Sequence, residues 1–253
     1  MSLAPAADSV LKILVLLARQ VEPVPAATVA SALGLPRSTT YRLLGSLVDE
    51  GFVSYLPEEK RYGLGVVVFE LGSSYSRQMP LRRLAQPVLT RLVTATKENA
   101  HLAVLHGQDV FYVIEQRAPR RRALVTDVGV RLPASLTASG LAIMSVLSDV
   151  QLRAVHPDAS GLVERDGRGP TTLPELRDLL GQVRRRGYAI EDGLVTAGLA
   201  SVGVPVVDRT GYPVAGISIT YDAERVDEAR RTQLVTEVKR AATHLSRRLG
   251  AGQ

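Results

Sequence analysis

The chain has 253 residues, with 31 Lys and Arg against 25 Asp and Glu for a net charge of +6, and it contains neither Cys nor Trp. This length holds one large or two modest domains, each able to bury a core. The lack of Cys excludes disulfide scaffolds, thiolate zinc sites, iron–sulfur clusters and a cysteine nucleophile. No apolar run approaches the roughly 18–20 residues of a membrane span, and no basic leader opens the sequence, so a soluble cytoplasmic protein is expected.

Asp8–Gln20 places Val10, Ile13, Leu14, Leu16 and Leu17 at helical spacing behind Asp8 or Ser9 as N-cap. Pro25 opens a short second helix that ends at Gly34. Gly34-Leu35-Pro36 reads as a tight turn into a third helix running to about Glu50. Its Thr40, Leu43, Leu44, Leu47 and Val48 share one stripe. Phe52–Leu56 and Arg61–Leu64 flank a polar tip and form a β-hairpin. Three helices, the last two joined by a Gly turn, and then a hairpin give the order of a winged helix-turn-helix.

Val66–Met79 reads as a further apolar helix, broken at Met79-Pro80. Leu81–Glu98 follows as a long amphipathic helix. Strands are expected at His101–His106, Val110–Glu115, Ala123–Val128, Tyr188–Glu191, Ser201–Val207 and Val214–Tyr221. Helices are expected at Ser139–Leu147, Thr172–Gly187 and Glu224–Leu249. Hairpins with helices packed on them define an α+β domain with a mainly antiparallel sheet.

Residues 34–44 (Gly-Leu-Pro-Arg-Ser-Thr-Thr-Tyr-Arg-Leu-Leu), Leu47–Gly51, Tyr62–Gly65 and Glu70-Leu71-Gly72 together resemble the IclR family of bacterial transcriptional regulators. Gly129–Pro133, Thr137–Gly140, Arg186-Gly187-Tyr188 and Pro205–Asp208 follow in the family's order. The resemblance implies an N-terminal winged helix-turn-helix over residues 1–65, a linker helix over 66–80 and a GAF-like effector-binding and oligomerisation domain over 81–253. It further implies a homodimer or dimer of dimers that binds a roughly palindromic operator in double-stranded DNA. The effector it implies is a small organic acid or aromatic metabolite. Two positions depart from the family: Ser135 stands where His is common, and Leu141 where Lys is common.

A recognition helix offers polar and basic side chains at its N-terminal turns while its apolar stripe faces inward. Arg37, Ser38, Tyr41 and Arg42 lie off the stripe, and Ser38 and Thr39 suit phosphate oxygens at a helix N-terminus. Arg42 is the candidate base-edge contact, because a guanidinium matches the paired acceptors of guanine. Lys60 and Arg61 are candidate wing contacts.

No nucleophile elbow, P-loop or dinucleotide fingerprint is present, and the His residues at 101, 106, 156 and 244 lack metal-ligand spacing. No catalytic residue, metal or cofactor is therefore assigned. Thr137–Gly140 precedes a helix and suits a carboxylate. Ser218 and Thr220, two apart in a strand, share a face. By the resemblance, Ala138 and Ser139 fall on the family's carboxylate-binding loop, and Leu132 and Leu124 on its apolar wall. Glu191, Leu199, Ser201, Ser218 and Thr220 fall on its remaining pocket positions. The runs Arg120–Arg122 and Arg184–Arg186 read as solvated basic faces.

The reading is a ligand-responsive DNA-binding regulator, in the sense of a repressor. A small-molecule enzyme that uses the winged helix for protein contacts is the alternative. Residues 1–79 carry seven basic and seven acidic side chains, so the whole +6 belongs to residues 80–253. DNA binding by the N-terminal part therefore rests on a few placed groups, and a shallow salt dependence is expected.

Overall fold

The structure of the protein is a computed structural model that describes residues 5–71, 80–119, 121, 127–158 and 162–252. The chain divides into two compact units, Met1–Met79 and Pro80–Gln253. No helix among the described residues is long and apolar enough to cross a membrane.

The first unit contains α1 (Pro5–Ala18), β1 (Val24–Pro25), α2 (Ala26–Leu33), α3 (Arg37–Asp49), β2 (Val53–Leu56) and β3 (Arg61–Leu64). Residues 66–71 are also helical and are labelled α4. The three larger helices form because their apolar residues recur on one stripe and close a single core of Ile13, Leu17, Val29, Leu44, Leu47 and Val53. Gly34 terminates α2 with φ 62, a left-handed conformation that favours glycine, and its N–H returns to Ser31 O at 3.4 Å.

Two details differ from the sequence expectation. α1 starts at Pro5, which needs no amide partner at a helix start; Asp8 and Ser9 lie inside it, and the Ser9 hydroxyl donates to Pro5 O at 2.9 Å rather than capping. Pro25 is not the first residue of α2. It stands at the N-cap with φ −65 while pairing through β1 with β3, so the wing is a three-stranded sheet in the order β1-β3-β2.

The second unit is built on a six-stranded antiparallel sheet in the order β6-β5-β4-β9-β8-β7. The strands are β4 (Asn99–His106), β5 (Asp109–Gln116), β6 (Arg131–Pro133), β7 (Ala189–Asp192), β8 (Leu199–Val207) and β9 (Pro213–Asp222). The helices α5 (Pro80–Thr96) and α9 (Glu228–Arg248) cover one face, and α6 (Ala138–Val146) and α8 (Leu173–Arg186) cover the other. The short α7 (Asp149–Val155) lies between α6 and α8 in the chain and begins with a capping box between Ser148 and Gln151. Neither α7 nor β6 was expected from the sequence; each is too short to establish a periodicity. The expected strand Ala123–Val128 falls largely on 122–126, outside the described residues, and Val128 is in a turn.

Because both sheet faces are covered, β8 and β9 are buried along almost their whole length. Alternation sorts their side chains. Ala200, Val202, Val204 and Val206 join Ala215, Ile217, Ile219 and Tyr221 in the core under α5 and α9. The intervening Ser201, Gly203, Gly216, Ser218 and Thr220 are left for the α6 face. There α6 approaches backbone to backbone: a Cβ on Gly203 would stand 2.4 Å from Ala138 O, and one on Gly216 would stand 2.7 Å from Ser139 O.

Candidate functional site

In the first unit, α3 buries Thr40, Leu43, Leu44 and Leu47. Arg37, Ser38, Tyr41 and Arg42 are exposed, Tyr41 by 58%, and Thr39 is half-buried. Pro36 caps the helix without a side-chain hydrogen bond, and the first amide with a helical acceptor is that of Thr40, bonded to Pro36 O at 2.9 Å. The preceding amides therefore emerge beside Arg37 and Ser38 with the positive end of the helix dipole behind them, a ready anion site.

On the hairpin, Tyr55 and Tyr62 rest against each other with ring centroids 4.8 Å apart. The Tyr62 phenol is pushed up chiefly by burial and secondarily by Tyr55 and Tyr41. Lys60 sits exposed at the tip with φ 53. Arg61, the other expected wing residue, is already partnered within the unit. Its Nη1 donates to Pro23 O at 3.2 Å, and its guanidinium lies 3.8 Å from both Glu22 and Glu59. It fastens the segment leading into β1 to the hairpin while its side chain stays 40% exposed.

In the second unit, a small cavity of about 20 Å³ lies where α6 begins, against β5, β7, β8 and β9. Of the residues expected there, Ala138, Glu191, Leu199, Ser201, Ser218 and Thr220 line it. Ser139 stands behind the wall and donates to Ser218 Oγ at 2.8 Å. Leu132 does not belong to it. β6 is at the opposite sheet edge from β7, so Leu132 packs instead with the core of Ala103, Val110 and Leu141. Leu124 lies outside the described residues.

The sequence reading missed Tyr112, Val195 and Thr196, which also line the cavity, and it placed Thr137 only as part of a loop. Tyr112 was legible as the polar-tipped residue alternating with Val110 on β5. Nothing local marks Val195 and Thr196.

Glu191 is the dominant charge. The residue is 3% exposed, and its Oε1 accepts from Leu194 N at 2.6 Å and Val195 N at 3.0 Å. Burial pushes its pKa up, and those amides together with the Ser201 hydroxyl oppose the rise. Burial, and then the Glu191 charge, likewise push the Tyr112 phenol far up, with Ser139 and Thr137 hydrogen bonds pulling the other way. Ser201 and Thr220 share a hydrogen bond of 3.0 Å.

The roof of the cavity is the 193–198 loop, whose ends Gly193 and Gly198 have φ of 69 and 79. Arg165 Nη1 holds it from outside through Leu194 O at 2.9 Å and Val195 O at 3.1 Å, and Arg168 Nη1 donates to Asp192 O at 2.9 Å. On the other side of Glu191 and Leu194 lies an open groove of about 470 Å³ that includes Ser135 and Leu141.

The arginine runs are not simply solvated faces. Arg184 Nε donates to Ser145 O at 2.7 Å near the end of α6, while Arg186 Nε donates to Tyr188 O at 3.0 Å and its guanidinium lies 4.9 Å from the Tyr188 ring. Arg121 pairs with the buried Glu98 at 2.6 Å, whereas Arg120 and Arg122 lie outside the described residues. His101 is buried edge-on to Tyr112, and burial lowers its pKa to about 4, with Arg117 adding to the effect. No group of metal-ligating side chains occurs among the described residues.

Two family models match the sequence. The IclR helix-turn-helix domain covers residues 6–57, and the bacterial transcriptional regulator IclR C-terminal domain covers residues 73–247. The chain belongs to the IclR family. It is 35% identical over 227 residues to the glycerol operon regulatory protein of Streptomyces griseus, spanning 89% of this chain and 88% of that one. It is 30% identical over 244 residues to the acetate operon repressor of Salmonella typhimurium, spanning 93% and 86%. The fold of an IclR homologue from Microbacterium hydrocarbonoxydans, solved with 4-hydroxybenzoate, superposes with a TM-score of 0.80 at 22% identity over 97% of this chain and 99% of that one. These IclR relatives are transcriptional regulators and not enzymes, and the α+β architecture of a helix-turn-helix unit and an antiparallel sheet with helices is the family's own.

Proposed function

We propose that this IclR-family regulator is a ligand-controlled repressor. Residues 1–65 dock on the operator, 66–80 link the units, and 81–253 sense a small organic molecule and carry oligomerisation. The observation that carries the DNA reading is the N-terminal edge of α3, where Arg37, Ser38, Tyr41 and Arg42 are exposed beside helix amides that no side chain caps. Arg42 reads a base edge, Arg37, Ser38 and Thr39 hold phosphates, Tyr41 reaches phosphate or a thymine methyl, and Lys60 touches the backbone from the wing. Arg61 acts indirectly, by fixing the wing.

Dimerisation brings two α3 helices to half-sites about one helical turn apart. The helical residues 66–71 support that assembly: Val66, Phe69 and Leu71 are exposed by 65%, 75% and 54%, a surface that a second copy would cover. The repressor assignment draws on the acetate operon repressor, and the sensing role on the homologue bound to 4-hydroxybenzoate.

A cavity of about 20 Å³ has room for roughly one water, so a ligand enters only when the 193–198 loop shifts on its glycine ends and joins the cavity to the neighbouring groove. Occupancy then favours one quaternary state over another, and operator affinity follows. Footprinting of the promoter of the flanking genes with and without candidate metabolites tests the whole reading. A roughly palindromic protected site is expected, as is a change in protection when ligand is added. Arg42→Ala is expected to weaken operator binding by about 1–3 kcal/mol and to relax one base position. Unchanged affinity removes Arg42 from the readout.

A further inference from the structure

We propose that the open groove beside the 193–198 loop is a second ligand site, separate from the cavity at the start of α6, and that it takes a compact uncharged alcohol of about one ring. Its volume of about 470 Å³ lies in the range of small-molecule sites. Leu141 of α6, Leu179 of α8, Ile190 of β7, Leu194 of the loop and Pro170 give it an apolar lining from five parts of the second unit. Glu191 is the only described residue that it shares with the cavity, so the two sites can be probed apart.

One polar group of this lining is left over. Ser135 lies in a single-turn 3-10 helix, Ala134–Leu136, and lines the groove at 1% exposure. Its Oγ is buried and has no hydrogen-bond partner among the described residues. An unpaired buried hydroxyl costs stability, and alanine would occupy the same place without that cost. A ligand hydroxyl supplies the missing partner, since either group can donate or accept.

The walls near Ser135 are fixed by the protein itself. Gly169 has φ 107, and a Cβ there would stand 2.8 Å from Leu136 Cδ2, so this segment lies close against the Ser135 turn. Arg168 Nη1 is bonded to Asp192 O, and Glu175 Oε2 accepts from the Thr171 amide at 2.8 Å and hydroxyl at 3.0 Å. Arg168, Glu175 and Asp192 are all exposed. A charged ligand of either sign would surrender its hydration to the aliphatic lining, and exposed charges return little of it. An uncharged alcohol avoids that loss.

The test sets benzyl alcohol against benzoate and against benzylamine, protonated at pH 7, in calorimetric titrations of the full chain. The three share one ring and differ in the polar head. Saturable binding of benzyl alcohol at one site per chain is expected, with benzylamine at least tenfold weaker. Leu179→Trp, which fills the groove, should abolish alcohol binding. Ser135→Ala should weaken it about three- to tenfold, and Ser218→Ala in the cavity should leave it within twofold. Benzoate bound in the cavity is recognised by its loss in Ser218→Ala and its survival in Leu179→Trp. Ser135→Ala should also leave the melting temperature of the unliganded chain unchanged or higher, and it carries the test if the larger side chain at 179 prevents folding. A fall of several degrees in Ser135→Ala would show that the hydroxyl already serves the fold, and the proposal would fall. Absence of saturable alcohol binding, or binding that survives both groove variants, overturns the second site. Loss in Ser218→Ala alone overturns it too, returning the alcohol to the cavity and leaving the sensor reading standing. Benzylamine held in the groove as tightly as the alcohol overturns the uncharged class.

Discussion

The close approach of α6 to the sheet provides the sharpest test of how the cavity is built. In Gly203→Ala, the added methyl would sit 2.4 Å from Ala138 O, 2.6 Å from Ala138 C and 3.1 Å from Ser139 N. All three neighbours are backbone, so no rotamer change relieves them. Carbon contacts are comfortable near 3.5 Å, so α6 must withdraw by roughly 1 Å. Ser139 rides on that turn, and its 2.8 Å bond to Ser218 would be stretched beyond hydrogen-bonding range. Overpacking of this kind costs about 2 kcal/mol, and a lost buried hydrogen bond adds about 1. The sum of about 3 kcal/mol corresponds to a fall of roughly 6–12 °C in the melting temperature of a unit this size. Circular dichroism melts of the full chain read it in the transition that belongs to residues 80–253. A drop smaller than about 2 °C would mean that α6 does not pack on Gly203 as described, and the geometry of the cavity floor would fall with it.

Other perturbations separate electrostatics and propensity from packing. Glu98 is 3% exposed and its Oε2 has no hydrogen-bond partner, so burial raises its pKa while Arg121 is the leading opposing influence. A carboxyl with a raised folded pKa favours folding when protonated and loses that contribution as pH climbs through its folded pKa. Arg121→Ala raises the pKa further. The variant should therefore match the parent near pH 4 and fall behind by about 2 kcal/mol at pH 7–8 in urea titrations, and an equal deficit at both pH values would assign Arg121 to packing alone. Gly45 lies within α3, and nothing comes within 4 Å of the point where an alanine methyl would stand. Gly45→Ala should therefore stabilise the first unit by about 0.5–1 kcal/mol by denaturant unfolding, and destabilisation would show that the surface is occupied. Operator binding should show a salt slope of only a few counterions per N-terminal unit, measured by anisotropy from about 50 to 200 mM salt, and a slope near ten would demand cations beyond Arg37, Arg42 and Lys60.

The first unit was almost wholly legible in the sequence. Its helices carry apolar stripes at helical period, and Gly34 and Gly51 mark where the chain must adopt positive φ, at 62 and 72. Short elements escaped. β1 has two residues and exists only because β3 runs beside it, and α7 and β6 are too brief to show a period. The tether of Arg61 escaped for a related reason: a side chain's charge is visible in the sequence, but the carbonyl of Pro23 that it bonds is not.

In the second unit, alternation along β9 determined that Ser218 and Thr220 share one face, and the small residues of Thr137–Gly140 marked the start of a helix. The tertiary structure decided what those residues enclose. Only the strand order brings β7, β8 and β9 together beneath α6 and sends Leu132 to the far edge. Only the folding back of the 193–198 loop turns Glu191 from a strand carboxylate into a buried acceptor with Val195 and Thr196 above it. Periodicity is a property of neighbours along the chain, so one sequence suffices to read a face. A cavity is a property of segments some 80 residues apart, as Ser139 and Ser218 are, and their meeting is set by packing that no local pattern records.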